Sequence, residues 1–253
     1  VPWDHGRFCA ALEAENAAFA AGFAEGDLDE PVPSCPGWSV GDLVRHLGGI
    51  HRWASGTVRV GAPRRLSLRE IGVSFPVVAG DHAEWFAEGA GRLLAILRAA
   101  DPDAPVWTWG TDRHVRFWSR RMLHETAVHR CDLDLALGRP PVVAPEGAAD
   151  GIDELLGNLE SAAAFAPKIE NLRGDGETLL FAAPEGRWLL RLLPDRFEWT
   201  RADDPAPRAD AVVRGGVSDV FLFLWGRRKL GDPHLEFSGD DDLLVHWVEN
   251  SAL

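Results

Sequence analysis

In the run Arg121-Met-Leu-His-Glu-Thr-Ala-Val-His129, Glu125 and His129 stand four residues apart. On a helix that spacing points both side chains the same way, so a carboxylate oxygen and an imidazole nitrogen converge on one point. Helix bundles build metal sites from such pairs on facing helices. A third ligand then has to come from another helix. His46, set among Leu43, Leu47 and Ile50 of one apolar stripe, is the best-placed candidate. Two nitrogens and one carboxylate make up a ligand set familiar in catalytic zinc sites, where three protein ligands leave one position for water or substrate. Zinc is the expected metal, although the same donors would accept nickel, cobalt or ferrous iron. Two plainer readings compete: a Glu and a His four apart are often a surface pair, and a lone His in an apolar stripe is often a satisfied core residue.

Neighbouring groups are placed by the same periodicity. His124 turns away from the pair by about a hundred degrees, and His51, five beyond His46, falls off its stripe; both are expected at the surface or behind the ligands. Asp132, three past His129, could accept the ring proton and fix the tautomer, or simply be a solvated carboxylate.

Four long helices must carry these residues. The first is predicted over Gly6 to Ala24, stopped by Gly26 and the stretch from Pro31 to Pro36. Ser39 with Asp42 reads as the capped start of a second, running to about Val60. Asp81 and Glu84 repeat that signature and open a third, after a loop rich in Arg, Pro and Gly. The fourth is expected over Val115 to Leu137, ended by Gly138 and the Pro140-Pro141 pair. Together they suggest an antiparallel bundle able to hold a ligand in its interior. A fifth helix from about Glu146 to Phe165 is read as bridging onward, and a domain boundary is placed at 168/169. Beyond it, β-prone runs at Thr178 to Ala182, Trp188 to Leu193 and Arg196 to Thr200 suggest an antiparallel sheet. A strand at Ala211 to Val213, an apolar helix from Ser218 to Arg227, a strand at Leu235 to Phe237 and a last helix after Asp240 complete an α+β module.

The 253 residues carry a net charge of −13, which would repel phosphate backbones, so nucleic-acid binding is not expected. No apolar run reaches the roughly 18 to 20 residues of a membrane span, and a cytoplasmic protein is the natural reading. Cys9, Cys35 and Cys131 are odd in number and widely spaced, and are expected as reduced, at least partly buried thiols. Trp107, Trp109 and Trp118 could line an apolar mouth or serve as ordinary core. The sequence does not set the oligomeric state.

Three segments carry a family resemblance: Val32-Pro-Ser-Cys-Pro-Gly-Trp-Ser-Val-Gly-Asp-Leu-Val-Arg-His46-Leu, Glu125-Thr-Ala-Val-His129-Arg-Cys-Asp132, and Ser218-Asp-Val-Phe-Leu-Phe-Leu-Trp-Gly-Arg227-Arg228. The chain resembles, over nearly its whole length, the mycothiol-dependent maleylpyruvate isomerase family. The resemblance implies an N-terminal DinB-like four-helix bundle over 1–168 and a sterol-carrier-like α+β domain over 169–253. It also implies zinc on His46, Glu125 and His129, the triad that helix geometry selects. In such an isomerase the thiol of mycothiol adds to a cis double bond, rotation follows, and elimination returns the trans isomer. A metal-bound thiol ionises well below its free pKa of about 8.5, which suits this pairing. Arg227 aligns with an arginine that helps catalysis, Arg228 being the fallback, and would grip a substrate carboxylate or stabilise enolate charge. Helix-end cations of no catalytic role look the same. The expected partners are a small, anionic, unsaturated metabolite and a low-molecular-weight thiol. Two other readings stay open: a thiol-independent, metal-dependent hydrolase or lyase/cyclase, and a non-catalytic metal-binding or regulatory protein.

Overall fold

Ser39 is extended (φ −93°, ψ 168°), so its hydroxyl reaches the Asp42 amide while the Asp42 carboxylate returns to the Ser39 amide. This capping box starts the helix that carries His46. The computed structural model describes residues 3–25, 27–204 and 207–252; Gly26, expected to end the first helix, lies outside them. The first of two compact units covers residues 1–141. It contains α1 (His5–Glu25), α2 (Val40–Arg59), α3 (Leu68–Ile71), α4 (His82–Ala99) and α5 (Val115–Ala136). Both α1 and α2 pack against α4 and α5, which closes the expected DinB-like four-helix bundle. At the start of α4, Asp81 has helical dihedrals and makes no side-chain cap. The turn Ala79–Asp81 is already a 3-10 helix, and a cap needs extended backbone at that position. At the far end of α5, Gly138 takes φ +66°, as a helix-ending glycine does.

The bundle interior is banded. One apolar cluster gathers Leu12, Leu93, Leu97, Trp118 and Met122; the other gathers Phe19, Leu43, Leu47, Phe86 and Leu133. Between them along their helices lie the buried polar residues Asn16, His51 and Thr126. The Thr126 hydroxyl donates to the Met122 carbonyl at 2.7 Å, so it accepts from His51 Nε2 at 3.0 Å. Burial pushes the His51 pKa down to about 3, and the ring is neutral.

The second unit, 142–253, begins earlier than the 168/169 boundary read from the sequence. The reason is α6 (Pro145–Ala162), which packs on α7 (Val217–Leu224) and buries Ile152, Leu155, Leu156 and Leu159 within this unit. Its strands are β1 (Thr178–Ala183), β2 (Gly186–Leu192), β3 (Phe197–Arg201), β4 (Ala211–Gly215) and β5 (Leu235–Gly239), followed by α8 (Asp241–Asn250). They form one sheet in the order β3-β2-β1-β4-β5. The first three pair antiparallel as expected, but β4 joins β1 in parallel, so the sheet is mixed. Helices cover one face: the Phe181 ring lies 5.2 Å from Trp247 and 6.3 Å from Phe223. The α+β class read from the sequence holds. Among the described residues no helix is long and apolar enough to cross a membrane.

Candidate metal centre

The α5 spacing and the α2 stripe bring His46, Glu125 and His129 together, with one ligand atom of each within 4.8 Å of the others. His46 Nε2 lies 3.3 Å from Glu125 Oε1, and His129 Nε2 lies 3.4 Å from the same oxygen. Both distances exceed the usual N–H···O range of roughly 2.7–3.2 Å. Two metal–ligand bonds of about 2.0–2.1 Å at a tetrahedral angle separate their donors by roughly 3.3–3.4 Å. The donor types and their separation therefore fit a shared divalent cation.

The groups behind the ligands fix them. Asp132, with no solvent exposure, accepts from His129 Nδ1–H at 2.8 Å and from the Ser34 hydroxyl at 2.6 Å. This leaves the His129 Nε2 lone pair directed at the centre. Arg121, itself buried, holds Glu125 Oε2 at 3.0 Å, so Oε1 faces the imidazoles. Burial opposes charge on Glu125, but His129, His46 and Arg121 outweigh it and hold the carboxyl well below the usual range. Burial likewise lowers the His129 pKa, while Asp132 and Glu125 raise it by more. Cys35 Sγ, His129 and Asp132 form a second ligand-like group, yet the Asp132 oxygens are already engaged by Ser34 and His129.

Trp38 walls the centre. Its ring centroid is 4.9 Å from that of His46, and it stacks on His129 at 6.4 Å with planes 22° apart. Beside it a cavity of about 480 Å³, within the range of ligand sites, is lined by His46, Trp38, Asp42, Arg45, Leu68 and Phe75 among others. The Arg45 guanidinium stands 5.6 Å from the Phe75 ring centroid.

His51 and His124 are fully buried and neither lies at the surface. Trp107 and Trp118 pack with Trp53 in the other apolar cluster, Trp118 donating to the Trp107 carbonyl, and Trp109 meets Phe117; none of the three lines the cavity. Cys9 and Cys131 are buried and Cys35 is half-buried, without a disulfide among them. Burial pushes the Cys131 thiol up to about 12, which removes it as a nucleophile at neutral pH. Arg227 belongs to the second unit, just past α7, where its Nη1 donates to the Trp225 carbonyl at 2.6 Å. Arg228 is tied to Asp219 at 2.6 Å and Asp232 at 3.3 Å. Sequence reasoning assigned no role to Arg121, Ser34 or Trp38. Arg121 was findable, since it precedes Glu125 by one helical turn; Ser34 and Trp38 act through a loop whose path no periodicity reveals.

A helix bundle with two imidazoles and a carboxylate converging in it, joined to an α+β unit, defines the class: a bundle protein with a metal-ligand constellation. Residues 9–134 match the mycothiol maleylpyruvate isomerase N-terminal domain, and residues 146–246 match the C-terminal domain of the same isomerase. The chain belongs to the mycothiol-dependent maleylpyruvate isomerase family. Two crystal structures of a mycothiol-dependent maleylpyruvate isomerase share its fold: a histidine-to-alanine mutant with a TM-score of 0.57 and another structure with a TM-score of 0.51, each 14% identical and covering 93% of both chains. No curated protein matches the chain.

Proposed function

We propose that this chain is a metal-dependent enzyme that uses mycothiol, or a related low-molecular-weight thiol, on a small, anionic, unsaturated metabolite of the maleylpyruvate type, isomerising it or adding the thiol to it. The convergence of His46 Nε2, His129 Nε2 and Glu125 Oε1 beside a cavity, in a chain of this family, carries the reading. When bound, zinc would supply a position where a thiol ionises below its free pKa of about 8.5, and mycothiol would supply the sulfur nucleophile.

The remaining work falls to the chain. His46, Glu125 and His129 hold the cation; Asp132 keeps the proton on His129 Nδ1, and Arg121 keeps Glu125 turned inward. The aromatic wall of Trp38 and Phe75 excludes water from one side of the cavity. Arg45 lines the same cavity and makes no ion pair among the described residues, so its guanidinium is available for a substrate carboxylate. Arg227 is a second anion-orienting group in this proposal, to be tested by Arg227→Gln. The deciding assay follows maleylpyruvate turnover with and without mycothiol in the wild type and in His129→Ala, both first shown to be folded by circular dichroism. Turnover should require the thiol and vanish in the variant; undiminished turnover without thiol, or in His129→Ala, would refute the reading.

A further inference from the structure

The sheet face opposite α7 and α8 carries a concavity of its own. Ala182 on β1 is flanked in register by Arg187 on β2 and by Arg214 on β4, and Arg214 is in turn opposite Glu236 on β5. These side chains share one face of the sheet, because residues paired in register point the same way. The small Ala182 leaves the space between the two arginines shallow. A cavity of about 470 Å³ opens there, lined by Arg187, Ala182, Arg214, Glu236 and His234 among others.

The pairing of the arginines sets this place apart. Elsewhere in the same unit Arg196 is bound to Asp195 and Glu198, and Arg201 to Asp153. Arg187 and Arg214 have neither a hydrogen bond nor an ion pair among the described residues. In a chain with 39 acidic residues and a net charge of −13, two unpaired guanidiniums across a concavity point to an anion from outside. Two strand spacings of about 4.8 Å separate their backbones, a gap that two arginine side chains close from either side. Glu236, on the same rim, repels a bare anion but accepts a hydrogen bond from a hydroxyl.

We propose that this cavity binds a small hydroxylated organic anion, with Arg187 and Arg214 gripping its phosphate or carboxylate and Glu236 accepting from a hydroxyl. Binding here does not require the reaction proposed above.

The test is calorimetric titration of the full chain with glucose 6-phosphate, gluconate and inorganic phosphate. One-site saturable binding of a sugar anion is expected, weakened about tenfold or more by Arg187→Gln and by Arg214→Gln. Arg191→Gln, on the same face but outside the cavity, should leave it unchanged. Ala182→Leu keeps both charges and fills the floor, and should abolish it. The tighter of the two sugar ligands identifies the anionic group. No saturable binding of either, equal weakening by Arg191→Gln, or inorganic phosphate binding as tightly as both would overturn the proposal.

Discussion

Replacing Asp132 with Asn changes one atom and should disable the centre without disturbing its ligands. The Asp132 carboxylate is fully buried and accepts from His129 Nδ1 at 2.8 Å, from Ser34 Oγ at 2.6 Å and from Cys35 Sγ at 3.5 Å. An asparagine of the same shape has one acceptor oxygen, and the strong Ser34 donor competes for it. If the amide nitrogen then faces His129, Nδ1 must become the acceptor, and the ring proton moves to Nε2, the atom aimed at Glu125 and His46. Loss of a carboxylate behind a ligating histidine typically weakens metal binding about 10–100-fold, or about 1.4–2.7 kcal/mol. Zinc affinity at neutral pH, measured by competition with a chromophoric chelator, should fall by that factor in Asp132→Asn. Ser34→Ala leaves the imidazole–carboxylate contact intact and should lose much less. Asp132→Asn binding zinc within about threefold of the wild type, well short of that factor, would refute the assignment of Asp132 as the group that sets the His129 tautomer.

Arg45→Gln should raise KM for an anionic substrate by several-fold to about tenfold with little change in kcat, because the group is exposed and its charge is partly screened; an unchanged KM would remove it from the substrate site. His51, with a pKa of about 3 in the folded chain against 6.5 when unperturbed, makes the unfolded chain the stronger proton binder. Its stabilisation is complete above pH 6.5 and is lost at about 1.4 kcal/mol per unit as pH falls toward 3. Urea melts of metal-free protein at pH 7 and pH 5 should show His51→Gln losing about 2 kcal/mol less than the wild type on acidification, and parallel losses would contradict this. In Gly48→Ala the new Cβ would run into the Trp85 ring, which is held by its 2.8 Å bond to the Ser74 carbonyl and by Arg52 3.9 Å above it. Overpacking of about 1–3 kcal/mol should outweigh the helix gain of about 1 kcal/mol and lower the Tm; an unchanged Tm would show that the ring can move.

The parts of this structure that were legible in the sequence are those encoded locally. The Ser39 and Asp42 capping box, the four-residue step from Glu125 to His129 and the stripe holding His46 each follow from helix geometry, and each lies where it was expected. Signals were present but unread in two places. Ser67 and Glu70 form a second capping box, but the helix they start has four residues and buries none, so no apolar period announces it. Arg121 sits one turn before Glu125 and was given no role, although it is buried and holds that carboxylate. The rest depends on partners distant in sequence. The parallel pairing of β4 with β1, the assignment of α6 to the second unit and the contact of Ser34 with Asp132 are set by where other segments fold. No spacing within the segments themselves encodes them.

Metal content, read together with mycothiol binding on the same purified sample, tests the central proposal most directly. Near one zinc per chain in the wild type, calorimetric binding of mycothiol that a chelator abolishes, and loss of both in His129→Ala are the expected results. A wild-type protein that holds no divalent metal when zinc is supplied, or that binds mycothiol equally well after His129→Ala, would contradict it.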